Sequence, residues 1–253
     1  GSKEIFGGAR KNDRDSMSPK GYGDAVKIIG HRGASVEAPE NTLAAFRKAW
    51  AVGVDGVELD VRLSREGVPV VFHDEDGSRL CGIPFAVSDS AWADMVTWRV
   101  GGEPIPRLES IVDAHPAGSM LLVEIKSGVE TVDVLNGIRS TRNTADITVL
   151  TFSPHVAMRA ASSGWPTWIN VEPEQQANAM LHLPTWRDAG VGGVSFGWSE
   201  RISREWVERV HRGGMSFAVW TINQSQLARQ MEALGVDVLM TDHPRLVQAG
   251  AES

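Results

Sequence analysis

Eight charged or titratable side chains fall in four short segments: His31-Arg32, Glu58-Leu59-Asp60, His73-Asp74 and Glu124-Ile125-Lys126. In an extended chain, residues two apart share a face, so Glu58 pairs with Asp60 and Glu124 with Lys126. Glu58 lies in the run GVELDV and Glu124 in LLVEIK. A charge inside such an apolar strand is too costly to bury without partners. These acids therefore make poor core residues and good site residues. Glu58, Asp60 and Glu124 form an all-oxygen donor set without cysteine, which suits a hard divalent cation. Mg²⁺ or Ca²⁺ fits, with Mn²⁺ a further candidate. The same acids could instead form an ion-pair network with Arg32, Arg62 and Lys126, and periodicity alone leaves both readings open. His31 and His73 suit acid–base work near neutral pH: one imidazole can activate an attacking oxygen while the other protonates a leaving alkoxide. Arg32 and Lys126 beside a cation would stabilise charge developing on phosphoryl oxygens. These residues together point to metal-assisted phosphoester chemistry. No P-loop is present. The other histidines, His115, His155, His182, His211 and His243, are expected to cap, pack or face solvent.

Positioning such a cluster requires strand ends that converge. From Val26 onward, β-branched runs alternate with helical stretches. Strands are predicted to begin near Lys27, Val54, Met120, Asp146, Pro166, Gly192, Met215 and Val236. Strands that alternate with helices imply βαβ units and a parallel sheet, and eight units fit a (β/α)8 TIM barrel. The four charged segments then lie at carboxyl strand ends, where a barrel builds its site. The first helix has Asn41 or Thr42 as cap, Leu43, Phe46 and Trp50 on one face, and Gly53 as its stop. Ser203–Gly213 reads the same way, with Trp206 and Val210 facing inward. One step is too long: Val54 to Met120 is 66 residues, against 20–27 for the others. It contains VPVVFH, separated from the second strand only by Ser64-Arg65-Glu66-Gly67, which suits a hairpin and not a crossover helix. Ser64–Arg107 is therefore read as an insert after strand 2 that returns His73 to the mouth. Its later part, with Trp92, Met95 and Trp98, is predicted to form a short helix over that mouth.

The chain has 253 residues and a formal charge of −7. That size suits one barrel domain over 25–253, and the acidic balance argues against nucleic acid as a partner. No apolar run approaches a membrane span, so no stable membrane insertion is expected. The lone Cys81 can form no intramolecular disulfide, lacks a partner that would make it a nucleophile, and points weakly to the cytoplasm. Gly1–Asp24 is nearly free of apolar side chains and is expected to be a disordered tail, with Gly1-Ser2 an expression remnant and Met17 a candidate start.

The segment HRGASVEAPENTLAAFRKAWAVGVDGVELDVRLSREGVPVVFHD, His31 to Asp74, closely resembles the signature of the glycerophosphodiester phosphodiesterase family. Further matches follow in order: Arg79 with Cys81-Gly82, IPRLESIVD at 105–113, VEIK, TFS, AVWTIN at 218–223 and GVDVLMTDHP at 235–244. The resemblance spans about Lys27 to Val247. It implies a barrel with an insert after strand 2 and cleavage of glycerophosphodiesters to glycerol 3-phosphate and an alcohol such as choline, ethanolamine or inositol. It implies that His31 and His73 are the acid–base pair and that Glu58, Asp60 and Glu124 bind the metal. Arg32 and Lys126 would hold the phosphate. Trp220 would line the glycerol pocket, with plain packing at the mouth as its alternative role. The chain departs from the family at Gly77, where a leucine is frequent, and at Ser110, where a second acid is. Gly77 is expected to loosen the loop after His73. Phe152, Glu172 and Trp198 are candidate pocket residues, and Trp92 and Trp98 are expected near the mouth.

Rival readings keep the fold or its site. A phospholipase D-like enzyme would act on lysophospholipid or sphingomyelin through an apolar rim. A catalytically dead barrel would have lost a histidine or a metal ligand, and none is missing. A carboxylate-pair glycosidase fits poorly with two histidines at the same mouth. The attacking oxygen is either a water or the substrate's own glycerol hydroxyl, the latter through a cyclic phosphate.

Overall fold

A computed structural model describes residues 25–251 of the chain. The tail expected over Gly1–Asp24 lies outside these residues. Eight parallel strands close into a barrel: β1 Lys27–Gly30, β2 Gly56–Leu63, β3 Met120–Ile125, β4 Ile147–Thr151, β5 Thr167–Val171, β6 Gly193–Gly197, β7 Ser216–Trp220 and β8 Val238–Thr241. Closure is explicit in the register, since β1 pairs with β8 (Lys27 with Val238) and also with β2 (Ile29 with Gly56). Each strand starts within two residues of its predicted position. One long helix follows each strand: α1 Leu43–Val52, α2 Leu108–Ala114, α3 Glu130–Arg139, α4 Pro154–Ser162, α5 Gln176–Asp188, α6 Arg204–Arg212, α7 Ser225–Leu234 and α8 Pro244–Ala251. The fold is thus a TIM barrel.

The pleat sorts each strand into two layers. Val57, Leu59 and Val61 of β2, with Leu121, Val123 and Ile125 of β3, face outward into the core shared with the helices. The alternate residues Ile29, Met120, Leu122, Leu150, Trp168, Ala218 and Met240 fill the barrel itself. Glu58, Asp60 and Glu124 continue the inward parity above that apolar plug, and Asp60 pairs in register with Glu124. A strand buried on both faces reads as a nearly continuous apolar run, and here only the inward positions at the carboxyl end break it.

Capping fixes the entry to α1. Thr42 Oγ1 accepts from Ala45 N at 3.2 Å, and Gly53, at φ 87°, donates its N–H to Trp50 O. Thr42, not Asn41, is therefore the cap, and Asn41 is left free for the site. Ser203 caps α6, and at its far end the left-handed conformation falls on Gly214 (φ 72°) and not on Gly213.

After β2 the chain turns through Ser64–Gly67 and returns as the antiparallel strand Pro69–Val71, with Val61 opposite Val71. The rest of the insert builds its own small core from Val70, Phe72, Val87, Met95, Trp98, Val100 and Ile105. Trp92–Met95 does form a helical turn, but Met95 and Trp98 are buried in that core, and neither Trp92 nor Trp98 lines the barrel cavity. A large aromatic beside Val70 and Phe72 gains more by packing on them than by facing water. Gly77 does not loosen its loop either. A Cβ there would come within 2.7 Å of Ile83 O and 3.0 Å of the Trp98 ring, so the glycine permits a close approach of backbone to core.

Candidate active site

The loop after β1 delivers two side chains. His31 follows Gly30 directly, and Arg32 and Gly33 both adopt positive φ (55° and 84°). A Cβ at Gly33 would lie 2.6 Å from the Ala45 backbone, so only glycine fits where the loop packs on α1. The left-handed turn at Arg32 is unusual for a side-chain-bearing residue. It points the Arg32 N–H at Glu58 Oε2, 3.0 Å away. The Arg32 guanidinium reaches Glu40 at 2.9 Å and Asp60 at 3.2 Å. Burial opposes the charge on Arg32, but Asp60, Glu58 and Glu40 outweigh it and raise its pKa.

Glu58, Asp60 and Glu124 are buried at 2%, 1% and 7% exposure, and each offers an oxygen within 4.8 Å of the others'. Asn41 fixes the middle carboxylate: its amide donates to Asp60 Oδ2 at 2.7 Å, and its carbonyl accepts from Asp60 N at 3.1 Å. Lys126 Nζ lies 2.5 Å from Glu124 Oε1 and 3.3 Å from Asp60 Oδ1. Burial and then the Asp60 charge push Glu124 up to about 7, and burial with Asp60 and Glu124 drives Glu58 well above its ordinary value. Asp60 goes the other way, because Lys126 and Arg32 outweigh its burial. Among the described residues Glu58 Oε1 is buried and accepts no hydrogen bond. Repelling carboxylates with an orphaned oxygen, on a hard-donor set, fit a divalent cation. The ion-pair reading of these acids holds in part, since Arg32 and Lys126 pair with them while Arg62 donates to His73 O instead.

Each histidine is held by a carboxylate. His31 Nδ1 lies 2.8 Å from Asp242 Oδ1, and its Nε2 lies 4.0 Å from Glu58 Oε2. Ser35 Oγ donates to Asp242 Oδ1 at 3.0 Å, and the Asn223 amide donates to Oδ2 at 2.8 Å. His73 Nδ1 lies 2.7 Å from Asp74 Oδ1, and Arg79 grips that carboxylate at 2.6 Å. The Arg79 hydrogen bond holds Asp74 down at about 2, against its partial burial. Burial opposes ionisation of Asp242, yet its bonds to His31, Asn223 and Ser35 hold it at about 2 as well. Both aspartates are thus acceptors, so each imidazole donates through Nδ1 and keeps Nε2 for the cavity. Burial first, and then the Lys126 and Arg32 charges, keep His73 below its ordinary pKa despite Asp60 and Asp74.

These groups open onto a cavity of about 200 Å³, lined by both histidines, Arg32, Glu58, Glu124, Lys126, Phe152, Asn170, Glu172, Trp220 and Thr221. Phe152 meets the Trp220 ring edge-on at 5.8 Å, and Lys126 Nζ sits 5.5 Å above Phe152. Trp220 anchors its ring by donating from Nε1 to Ser195 O at 3.1 Å. Of the further candidates, Phe152 and Glu172 line the cavity. Trp198, 41% exposed, lines a separate hollow that shares only Thr221. None of the other five histidines lines it: His115 binds Ser119 O, His182 stacks on Trp186 and His211 pairs with Asp237. Sequence reasoning gave no role in the site to Glu40, Asn41, Arg79, Asn170 or Asp242. The signal was there for most of them, since Glu40-Asn41 sit in APENT and Asp242 in TDHP, both quoted motifs.

Comparison with known proteins agrees in extent with this site. The pattern of the glycerophosphoryl diester phosphodiesterase family matches residues 31–246, which include every side chain that lines the cavity and the partners that hold them. A glycerophosphodiester phosphodiesterase of Caldanaerobacter subterraneus is 28% identical over 86% of this chain and 94% of its own. The crystal structure of a glycerophosphodiester phosphodiesterase from Thermotoga maritima is 26% identical and superposes with a TM-score of 0.79 over 89% of this chain and 98% of that one. A phosphodiesterase of Oleispira antarctica, solved with the product sn-glycerol-3-phosphate, shares the fold at 24% identity and a TM-score of 0.79, covering 90% of this chain and 98% of that one.

Proposed function

The chain belongs to the glycerophosphoryl diester phosphodiesterase family and is a phosphoric diester hydrolase, and on that premise we propose how its own residues do the work. The substrate is a glycerophosphodiester, cleaved to glycerol 3-phosphate and an alcohol, with His31 and His73 as the acid–base pair. The observation that carries this reading is the pair of imidazoles, each fixed through Nδ1 by an ionised aspartate, lining one cavity at the barrel mouth with a buried carboxylate cluster. Glu58, Asp60 and Glu124 would hold one divalent cation, Mg²⁺ or Ca²⁺, which when bound neutralises phosphoryl charge and acts as a Lewis acid. Arg32 and Lys126 add positive charge where the phosphoryl oxygens gain negative charge. One histidine Nε2 takes the proton from the attacking oxygen, and the other gives a proton to the departing alkoxide as its P–O bond breaks. Asp74 and Asp242 keep both rings in the donating tautomer and stabilise whichever imidazolium forms. Trp220 and Phe152 give the glycerol carbons an apolar wall, and Glu172 and Asn170 offer polar atoms to its hydroxyls. Among the described residues no helix is long and apolar enough to cross a membrane. We propose a cytoplasmic, small-molecule enzyme, consistent with its single cysteine.

The test is release of glycerol 3-phosphate from glycerophosphocholine, with EDTA and then with Mg²⁺, Ca²⁺ or Mn²⁺ restored. Release that EDTA abolishes and a divalent cation restores is expected. No release with any cation overturns the substrate assignment, and cleavage of lysophospholipid in its place moves the assignment to the phospholipase D-like reading.

A further inference from the structure

The two halves of the site come from different parts of the chain. Arg32 and Glu40 belong to the loop between β1 and α1. His73 and Asp74 stand at the start of the insert. Among the described residues, a single side chain hydrogen-bonds to both. Arg79 lies on the helical turn Ser78–Cys81 of the insert. Its Nε and Nη2 donate to the two oxygens of Asp74 at 2.6 and 2.8 Å. Its Nη1 and Nη2 donate to the two oxygens of Glu40 at 3.0 and 2.8 Å. Four of the five N–H donors of the guanidinium are thereby spent on two carboxylates, each gripped bidentately. Glu40 in turn reaches Arg32, which reaches Asp60, and Asp74 in turn reaches His73.

We infer that Arg79 is a positioning residue: it locks the phosphate-binding arm of Arg32 and the imidazole of His73 into one rigid frame across the seam between barrel and insert. Two features separate this frame from an ordinary surface ion pair. An exposed pair between flexible side chains contributes little, because ordering the two side chains offsets the attraction. Here the guanidinium is 50% exposed, but both acceptors are far less so, and both are already ordered by a second partner. The planar fork also matters more than the charge. A lysine in this place would present a point charge on a flexible stem and could not hold two carboxylates edge-on at once. The insert's own core sets the height of the frame. Gly77, two residues before Arg79, lies against Trp98 and Ile83 O, so packing beneath the turn determines where the guanidinium sits.

The inference rests on His73 acting in the reaction, as proposed above, and its test separates the two. Three variants, Arg79→Gln, Arg79→Lys and His73→Ala, are assayed for glycerophosphodiester hydrolysis by the full chain with divalent cation, alongside their thermal midpoints. Loss of a hydrogen-bond partner one shell out from a site is worth about 10- to 100-fold in activity. Arg79→Gln is expected to lower kcat by about that factor, with a thermal midpoint near that of the wild type. Arg79→Lys should recover little of it, because the charge returns without the fork. Free guanidinium, added below denaturing concentrations, should restore part of the activity of Arg79→Gln and none of that of His73→Ala. A kcat for Arg79→Gln within about threefold of wild type overturns the inference, as does full activity in Arg79→Lys, which would make Arg79 a mere source of charge. If instead His73→Ala keeps its turnover, the acid–base assignment itself fails, whatever Arg79 does.

Discussion

Asp60 meets more partners than Glu58 or Glu124: Asn41 grips its backbone and its side chain, while Arg32 and Lys126 flank its two oxygens. This explains why its pKa falls while those of Glu58 and Glu124 rise, although all three are buried. Burial alone favours the neutral acid, and only a carboxylate whose partners outweigh desolvation stays ionised. Asp74 and Asp242 follow the same rule, since burial opposes their ionisation and their partners hold each at about 2. His31→Ala and His73→Ala should each lower kcat by ~10²-fold or more, as removal of an acid–base group does. Asp242→Asn should lower it by about tenfold or more, because the amide can offer its N–H to Nδ1 and favour the wrong tautomer. Steady-state rates on glycerophosphocholine decide this, and near-normal turnover in either alanine variant would remove that histidine from the mechanism. The place of His31 and His73 at the barrel mouth was legible in the sequence because each adjoins a charged residue at a strand end. Asp242 stood in a quoted motif, but its part in orienting His31 was not legible, because it depends on the contact of β8 with β1 across a separation of 211 residues.

At the scale of elements, the strand pleat and the insert divide the labour. The pleat places Glu58, Asp60 and Glu124 inward, above an apolar plug, and alternation in the sequence was enough to see that. The hairpin at Ser64–Gly67 was legible too, because four residues leave no room for a crossover helix. The packing of the insert was not. Trp92 and Trp98 looked like mouth residues, yet Phe72 meets the Trp98 ring at 6.3 Å in a separate core. Gly77 looked like slack and proved to be a point of close approach. Gly77→Leu should therefore destabilise the fold by about 1–3 kcal/mol, the range for overpacking a filled site. Urea unfolding measures this, and an unchanged midpoint would show that the Ile83–Trp98 wall can yield. Because Arg79 lies only two residues on, the same variant should lose activity beyond its loss of stability.

At the scale of the whole molecule, the barrel brings to one mouth acids that folding alone leaves in conflict. A ligand that binds only the folded state adds RT ln(1 + [L]/Kd), about 2.7 kcal/mol at 100 times Kd. A chain of this size should then gain about 5–10 °C in its thermal midpoint on saturation with its divalent cation. Calorimetry with and without Mg²⁺ or Ca²⁺ tests this. Glu58→Gln should abolish most of the gain by removing a ligand and part of the repulsion that the cation relieves. A wild-type midpoint that no divalent cation moves would favour the ion-pair reading, in which Arg32 and Lys126 satisfy the acids alone.

Local spacing determined what can be read without the fold. Alternation gave the strands, and the places where charge interrupts an apolar run marked the site. Those signals are local because side-chain direction in a strand repeats every two residues. Tertiary structure decided which aspartate orients which histidine, which tryptophan faces a cavity, and that Arg79 spans two loops. Apart from Asp74 beside His73, those outcomes depend on distances between residues far apart in the chain, and only the folding of barrel and insert together sets them.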